Sequence, residues 1–288
     1  MKYLLDHQKG ILAIVVAAIL WSTGGIFIKL TSLSPMQISF FRCLFAAVVF
    51  LFVFRRKLLK VNFFTFINAG FYAAVLILYV IATKTTTAAN AVFLQYTAPI
   101  YVLIFEPLIN KTKYEKINII TIIICFIGML LFFTDKLSGG NLYGDIIALL
   151  SGIAFAAFLL GMRKNKKEHQ FVSIFYGNIF VVLISVYSIF EINTLSITDL
   201  LMVSYLGIFQ VGAAYIIFAY GLKRVLAVEA SLISMIEPVL NPVWVLIGYG
   251  EIPSVMAIIG GGIILFTISV RAFILQSAVM KARYKNYL

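Results

Sequence analysis

One carboxylate, Glu237, lies in the middle of a long apolar stretch that runs from residue 229 to residue 249. If this stretch is a helix that crosses a bilayer, Glu237 lies about 12 Å from its start, near the midplane. Placing an ionisable side chain there costs at least about 2.5–3.5 kcal/mol, which makes it a functional candidate. Burial disfavours the charged carboxylate, so Glu237 is suited to bind a cationic amine or to exchange a proton. The alternative interpretation is structural: a protonated Glu237 that hydrogen-bonds a neighbouring helix.

Polar and aromatic side chains recur along the helical face that carries Glu237. Helical spacing places four further residues on this face: Ala230, Ser234, Asn241 and Trp244. Pro238 and Pro242 remove backbone donors and favour a kink that exposes carbonyl groups. Such a stripe is expected to face a cavity rather than lipid. We therefore assign its polar and aromatic members to substrate binding.

Candidate substrate contacts also lie in four other apolar stretches: Trp21, Tyr79, Gln95 and Gln210. A cage for a cation needs an acid and aromatic faces, and Trp21 and Tyr79 could supply two of those faces. A buried amide such as Gln210 serves equally well to join helices. The Ser-Thr-Gly-Gly run after Trp21 either lets helices pack closely or loosens the helix where a substrate approaches.

Two further charged residues are interpreted as structural. Arg42 lies about five residues from the predicted end of its span, close enough for its guanidinium to snorkel to the membrane surface. The alternative for Arg42 is a partner, either a bound anion or a glutamate. Glu251 shortly precedes Pro253, a pattern typical of the start of a helix.

The composition predicts the elements that must position these residues. Of the 288 residues, 62% are hydrophobic and 12% are charged, with a mean hydropathy of +1.05, whereas soluble domains are about 45–50% apolar and about 25% charged. This excludes a soluble enzyme, a secreted disulfide scaffold and a disordered chain. We predict an all-α polytopic membrane protein, because lipid offers no partner to an open backbone. Its ten transmembrane helices are predicted at 11–31, 37–54, 64–83, 89–109, 117–134, 146–162, 171–190, 200–222, 229–249 and 254–272.

The net charge of +12 follows membrane topology and does not indicate a nucleic-acid partner. Nineteen Lys and Arg residues fall on one side of the predicted spans, and three fall on the other: Lys29, Lys84 and Lys136. The positive-inside rule then places both termini in the cytoplasm. The Ile-, Lys-, Asn- and Phe-rich composition favours the plasma membrane of a bacterium.

The two halves of the chain are similar at a fixed shift. A shift of 139 residues places Ala82–Phe105 over Gly221–Trp244 without a gap. We predict two duplicated units, residues 10–137 and residues 144–275, with five helices each. Because five is odd, the units must enter the membrane in opposite orientations, an arrangement in which transporters hold their substrate at the repeat interface. The alternative is that the duplication merely built a stable bundle.

The same alignment pairs residues across the predicted pseudo-two-fold axis. Gln95 takes the place of Ser234, and we therefore expect Gln95 and Glu237 to approach each other. The position that matches Glu237 in the first unit is Ala98, and Thr112 matches Glu251. The two units thus offer no symmetric pair of acids.

Reporter fusions test the predicted topology. A reporter fused after Lys57 or after Lys166 is expected in the cytoplasm, and one fused after Asn193 is expected outside, because the basic loops remain inside. Paired fusions to a fluorescent protein and to alkaline phosphatase measure the location of each loop. A fusion found on the opposite side would remove the inverted-repeat argument for that loop.

Several blocks of the sequence resemble the EamA domain of the drug/metabolite transporter superfamily. The blocks are Ala230–Val239, Gly250-Glu251 followed by Gly260, Ala17–Lys29 around Trp21, and Ser34-Pro35 followed by Arg42. The resemblance covers nearly the whole chain. It implies ten helices, inverted repeats and movement of small organic solutes, and it leaves the solute open.

We interpret the chain as a secondary active transporter that moves an amine, an amino acid or a related cation or zwitterion by alternating access. It has no nucleotide-binding P-loop, so coupling to protons at Glu237, to another ion or to exchange is expected. It shows no His-Glu-x-x-His dyad and no Gly-x-Ser-x-Gly elbow, so neither catalysis, a metal nor a cofactor is predicted. An exchanger of sugars, phosphorylated metabolites or nucleotide sugars remains an alternative, as does a non-transporting sensor or assembly subunit. The expected partners are the solute and the bilayer, and the unit is a monomer or a homodimer.

Overall fold

The computed structural model describes residues 2–110, 116–131, 141–164, 170–225, 230 and 233–285. The regular elements of these residues are helices, and eight helices are long and apolar enough to cross a membrane. The prediction of a multi-pass helical membrane protein is confirmed. The described part of the fifth predicted span is a shorter apolar helix. The end of that span, Lys136 and residues 226–229 and 231–232 of the ninth span region lie outside the described residues.

The helices are numbered in chain order. Those of the first half are α1 (Lys2–Ser22), α2 (Gly24–Leu30), α3 (Pro35–Phe54), α4 (Phe63–Thr85), α5 (Ala88–Gln95), α6 (Ala98–Asn110) and α7 (Lys116–Leu131). Those of the second half are α8 (Leu142–Lys164), α9 (Gln170–Ser185), α10 (Ile197–Tyr205), α11 (Ala214–Leu222), α12 (Ile236–Tyr249) and α13 (Val255–Lys285). Short 3-10 turns follow α3 and α9, and a π-helical turn, Leu206–Ala213, joins α10 to α11.

Local sequence signals set the start of α3. Ser34 and Gln37 form a capping box, in which the Ser34 hydroxyl accepts from the Gln37 N–H and the Gln37 side chain accepts from the Ser34 N–H. Pro35 occupies the first helical position, where its missing N–H is not needed. Arg42 therefore lies about 10 Å along the axis from the first residue of α3.

Several spans are interrupted near the middle of the bundle. α1 gives way to α2 at Thr23, and α5 gives way to α6 at Tyr96 and Thr97. A turn at Met235 precedes α12, at the position that the 139-residue shift aligns with Tyr96. Irregular backbone at membrane depth is tolerated only where protein buries it or where it lines a cavity. These interruptions therefore mark the part of the bundle in which a site is expected.

The packing of the helices brings the interruptions together. α4 packs against α8 and α9, α3 packs against α9 and the π-helical turn, and α1 packs against α11 and α12. α12 also contacts α2 and α5. The broken segments of both halves consequently face one another across the interior of the bundle.

An ion pair holds one end of the bundle together. We call this end the Lys29 end; α2 and α4 end there, and α5, α8, α10 and α13 begin there. The Lys29 ammonium lies 2.6 Å from the Glu251 carboxylate, and both side chains are largely buried. Lys29 also donates to the Thr86 carbonyl at 2.8 Å, and Glu251 accepts from the Ala88 N–H at 2.6 Å. Glu251 thus caps the start of α5 rather than only preceding its own helix, α13. This pair joins α2, α5 and the connection before α13.

Two buried aspartates extend the polar network of the Lys29 end. Asp199 accepts from the hydroxyls of Thr31 and Ser32 at 2.6 and 2.7 Å. Asp145 accepts from the Thr86 hydroxyl at 2.6 Å and from the Asn90 amide at 3.0 Å. The network therefore connects helices of both halves of the chain at this end. The opposite end, where α3 and α6 end, is called the basic end.

Candidate functional site

The interruption between α5 and α6 meets the turn before α12 at Glu237. Glu237 lies in the first turn of α12, and its carboxylate accepts a hydrogen bond from the Tyr96 hydroxyl at 2.7 Å. Tyr96 belongs to the interruption between α5 and α6 and also lies 3.4 Å from the Ser234 carbonyl. The start of a helix favours a negative charge. The break in one half thus supplies a donor to the acid at the break in the other half.

Asn241 joins α12 to two other helices. Its amide donates to the Tyr79 hydroxyl at 3.1 Å, and the Asn241 side chain is fully buried. Gly25 of α2 lies directly against the Asn241 amide. The buried Asn241 Oδ1 has no hydrogen-bond partner among the described residues.

A substitution at Gly25 tests this packing. A methyl group at Gly25 collides with the Asn241 amide, so we expect Gly25→Ala to destabilise the fold by about 1–3 kcal/mol. Thermal unfolding in detergent measures the effect. Gly262→Ala is the matched control, because a methyl group there meets nothing within 4 Å. Equal melting temperatures for the two variants would contradict the close contact between α2 and α12.

Two tryptophans border the same region. The Trp244 indole N–H donates to the Ser22 hydroxyl at 2.9 Å. The Trp21 ring lies 5.1 Å from the Tyr215 ring and 5.0 Å from the Phe218 ring. These rings provide aromatic faces beside the polar groups of α12.

The π-helical turn brings Gln210 to the interruption of the first span. The Gln210 amide donates to the Trp21 carbonyl at 3.3 Å, and Gly24 lies against the Gln210 side chain. A π-helical turn shifts the helical register and is frequent at functional sites. The helix is interrupted in the Ser-Thr-Gly-Gly run, and its glycines admit neighbouring amides. That a substrate approaches there stays a prediction.

Two of the predicted site residues are turned elsewhere. The Gln95 amide donates to the Ser151 hydroxyl on α8 at 2.7 Å, so Gln95 does not provide the expected contact with Glu237. The next residue, Tyr96, makes it from the turn that interrupts the span after α5. The Ser234 hydroxyl donates to the Ala230 carbonyl at 2.8 Å, four residues earlier in the chain.

Arg42 is a site residue that the sequence interpretation placed wrongly. Its side chain is 4% exposed, so the guanidinium does not snorkel to the membrane surface. The guanidinium lies within electrostatic range of the Glu237 carboxylate, and Tyr79 and Tyr215 lie near the same group. The depth of Arg42 follows from the start of α3 at Pro35 and from its position between packed helices.

Tyr72 and Tyr215 were not assigned to the site. Tyr72 is buried, and its ring lies 6.0 Å from that of Tyr215. One signal in the sequence indicated Tyr72: it lies seven residues before Tyr79, on the same helical face. No signal indicated Tyr215, which is one of 15 tyrosines in the chain. We define the central site by Glu237 and its surroundings. It comprises Trp21, Arg42, Tyr72, Tyr79, Tyr96, Gln210, Tyr215, Glu237, Asn241 and Trp244.

Several polar atoms of the central site lack a protein partner. Among the described residues, these buried atoms include Trp21 Nε1, Arg42 Nε and Nη1, Gln210 Oε1 and Asn241 Oδ1. Buried polar groups in folded proteins are nearly always hydrogen-bonded, so each such group calls for an explanation. Donors and acceptors concentrated in one region are what a small polar ligand requires.

An apolar groove lies apart from the central site, toward the basic end. It has a volume of about 460 Å³ and runs between α4, α6 and α8. Its lining includes Phe64, Phe71, Phe105 and Ile153, and its one charged residue is Glu106. The polar chemistry described above is therefore not located in this groove.

The sequence matches known membrane transporters. The sequence model of the EamA-like transporter family matches residues 8–134 and, separately, residues 142–272. An uncharacterized transporter of Archaeoglobus fulgidus is 26% identical, over 90% of this chain and 94% of its own length. One of Clostridium kluyveri is also 26% identical, over 88% and 89%. Human solute carrier family 35 member G1 is 25% identical, over 70% of this chain and 62% of its own length.

A solved crystal structure resembles the whole fold. It superposes with a TM-score of 0.65 and covers 93% of this chain and 98% of its own, at 17% sequence identity. At that identity the match describes the fold alone.

Proposed function

Because the chain belongs to the EamA-like transporter family, as its sequence motifs predict, we propose that it is a secondary transporter for small organic solutes with a positively charged amine. The observation that carries this proposal is the Glu237 carboxylate, half-buried beside Tyr96 in the interior of the bundle. An acid surrounded by aromatic rings is the environment in which proteins bind ammonium groups. Trp21 and Tyr215 supply rings that meet edge to face nearby.

The proposed architecture consists of two inverted units, residues 10–137 and 144–275, with five transmembrane helices each. Two separate matches to one family model support the duplication. The breaks at Tyr96 and Met235, at equivalent positions of the two halves, support it as well. Transporters of this kind place their substrate where broken helices of the two repeats meet, which is the position of Glu237.

Alternating access is the proposed mechanism. The Lys29 end joins helices of both halves through the Lys29–Glu251 pair and the two aspartates. Opening of that end requires these contacts to separate. We propose that substrate reaches the central site from the Lys29 end only after the Lys29–Glu251 pair has broken.

Protons are the proposed coupling ion. The carboxylate of Glu237 binds either a proton or the ammonium group of a substrate, and the two therefore compete for one site. We place the protein in a bacterial plasma membrane with both termini in the cytoplasm, as a monomer or a homodimer. The basic end then faces the cytoplasm.

An exchanger of phosphorylated metabolites or nucleotide sugars is the second candidate. Arg42 supplies the base at membrane depth that such an exchanger needs. The Glu237 carboxylate, however, interacts electrostatically with the same guanidinium and repels a dianionic phosphate. An amine-bearing solute satisfies both charges better.

Counterflow in liposomes tests the proposed function. Purified protein is reconstituted into vesicles loaded with one unlabelled solute, and uptake of the same labelled solute is followed for amines, amino acids, sugars and sugar phosphates. A prior thermal-shift screen selects the solutes, because a binder stabilises the fold by mass action. Saturable counterflow of an amine-bearing solute supports the proposal. Binding without counterflow would identify a sensor, and counterflow of only sugars or phosphates would identify the second candidate.

A further inference from the structure

We propose that Arg42 binds a carboxylate group of the substrate, so that the preferred solutes carry an ammonium and a carboxylate on one small molecule. This inference rests on the proposed function and makes its substrate class more specific. Glu237 then receives the ammonium, and Arg42 receives the carboxylate.

The state of the Arg42 side chain is the first argument. It is 4% exposed, and Nε and Nη1 have no hydrogen-bond partner among the described residues. An unpaired charge inside a protein is costly unless another group compensates it. The planar fork of a guanidinium matches the two oxygens of a carboxylate through parallel N–H···O bonds. A carboxylate bound across Nη1 and Nη2, or across Nε and Nη2, would satisfy one of the two nitrogens that the protein leaves unpaired.

The position of Arg42 relative to Glu237 is the second argument. The two side chains interact electrostatically, yet within the described ranges no salt bridge joins them. Tyr79 and Tyr215 lie near both charged side chains. The opposite charges therefore share one polar region without neutralising each other directly. A small zwitterion is the ligand whose two charges complement this arrangement.

The backbone that carries Arg42 is held in place. Gly207 of the π-helical turn packs directly on the Arg42 carbonyl, at a distance where a methyl group would lie 2.5 Å from the oxygen. Farther along the same turn, Gly212 packs against Val49 of α3. This contact between α3 and the π-helical turn fixes the origin of the side chain, which favours a preorganised anion contact.

The competing explanation is that Arg42 only balances the charge of Glu237. That role makes no distinction between ligands with and without a carboxylate. It predicts that removal of the guanidinium changes amine binding and amino-acid binding alike. The two explanations therefore differ in a measurable selectivity.

The test uses three matched ligands on the full-length protein in detergent: leucine, 3-methylbutylamine, which lacks the carboxylate, and 4-methylpentanoate, which lacks the ammonium. Phosphoethanolamine is added to distinguish a carboxylate site from a phosphate site. Binding is measured by thermal shift and by calorimetry, and counterflow is measured in liposomes. The variants are Arg42→Gln and Arg42→Lys. Arg271→Gln is the control: it also replaces a guanidinium, but one that donates to the Asn118 side chain at 2.9 Å and joins α13 to α7.

We expect the wild-type protein to bind leucine at least about tenfold more tightly than 3-methylbutylamine, since hydrogen bonds to a charged group are strong. Arg42→Gln should remove that preference, so that leucine and 3-methylbutylamine bind this variant with similar affinity and leucine loses at least about tenfold more than the amine. Arg42→Lys should retain part of the preference, and Arg271→Gln all of it.

Three results would overturn the inference: equal wild-type affinity for leucine and its amine, equal loss of both ligands in Arg42→Gln, or tighter binding of phosphoethanolamine than of leucine. The wild-type comparison decides the matter even if Arg42→Gln does not fold. Failure of the proposed function is distinguishable, because it would appear as counterflow of neither amines nor amino acids.

Discussion

Replacement of Glu237 by glutamine is expected to abolish the pH dependence of amine uptake while the protein still folds and reaches the membrane. The glutamine side chain keeps the shape of the carboxylate and can still accept the hydrogen bond from Tyr96, which measures 2.7 Å in the structure. It cannot bind a proton or offer a negative charge to an ammonium group. We therefore expect uptake of a cationic amine to fall at least about tenfold, since a charge-assisted contact is lost.

The sign of the pH effect follows from competition at Glu237. As pH falls, the carboxylate binds a proton and no longer attracts the amine, so amine binding by the wild-type protein weakens. Initial uptake rates in liposomes between pH 5 and pH 8 measure this dependence. Asn241→Ala is the matched control on the same face of α12: it removes the 3.1 Å contact with Tyr79 and should weaken binding without flattening the pH profile. Normal transport by Glu237→Gln across this pH range would assign Glu237 a structural role.

The helical spans were predictable because one constraint dominates them. A backbone inside lipid must satisfy its own hydrogen bonds, so long apolar stretches of this chain had to become helices. The sequence pattern also indicated which face of α12 is polar, because Glu237, Asn241 and Trp244 follow helical spacing. Their partners, Tyr96, Tyr79 and Ser22, belong to other parts of the chain. Those partners depend on packing, which spacing along one helix does not report.

The interruptions of the helices explain the main error at the site. An alignment of the two halves placed Gln95 opposite Ser234, and a continuous helix would then turn Gln95 toward Glu237. In the structure α5 ends at Gln95, the amide bonds Ser151, and Tyr96 in the following turn reaches the carboxylate. No residue pattern predicted that α5 ends at Gln95 and that Tyr96 and Thr97 separate it from α6.

Arg42 shows why distance from the end of a span is a poor guide to exposure. Its sequence position allowed the guanidinium to reach the membrane surface, since a long side chain snorkels where lipid surrounds the helix. The segment of α3 that contains Arg42 packs instead against the π-helical turn, and the side chain is enclosed by the bundle. Arg42 is buried rather than exposed because of neighbours that are more than 160 residues away in sequence.

Removal of the Lys29–Glu251 ion pair is expected to open the Lys29 end and to uncouple transport. The two charged atoms lie 2.6 Å apart, and both side chains are largely buried. Removing one partner of a buried pair leaves the other charge uncompensated, which strongly destabilises the arrangement that buries it. Lys29→Met and Glu251→Gln should therefore shift the population toward the state in which this end is separated, and lower counterflow at least about tenfold.

Accessibility of a cysteine at Phe27 measures this shift directly. Phe27 is partly buried on α2, one turn before Leu30, and its ring lies 4.4 Å from that of Tyr205. The native Cys43 and Cys125 are buried, so they contribute little background. In a Phe27→Cys protein, a membrane-impermeant thiol reagent applied from the Lys29 side should react at least about tenfold faster when Lys29→Met or Glu251→Gln is present.

Lys84→Met is the matched control for this experiment. Lys84 also donates to a backbone carbonyl at the Lys29 end, that of Thr31 at 2.6 Å, but no ion pair is described for it. Its removal deletes a lysine and one hydrogen bond without leaving a buried carboxylate unpaired, so the labelling rate should rise less than after either change to the ion pair. A rise of equal size in all three variants would mean that any lost contact loosens this end. Unchanged labelling with unchanged counterflow would show that the Lys29–Glu251 pair serves the fold alone and does not control access to the central site.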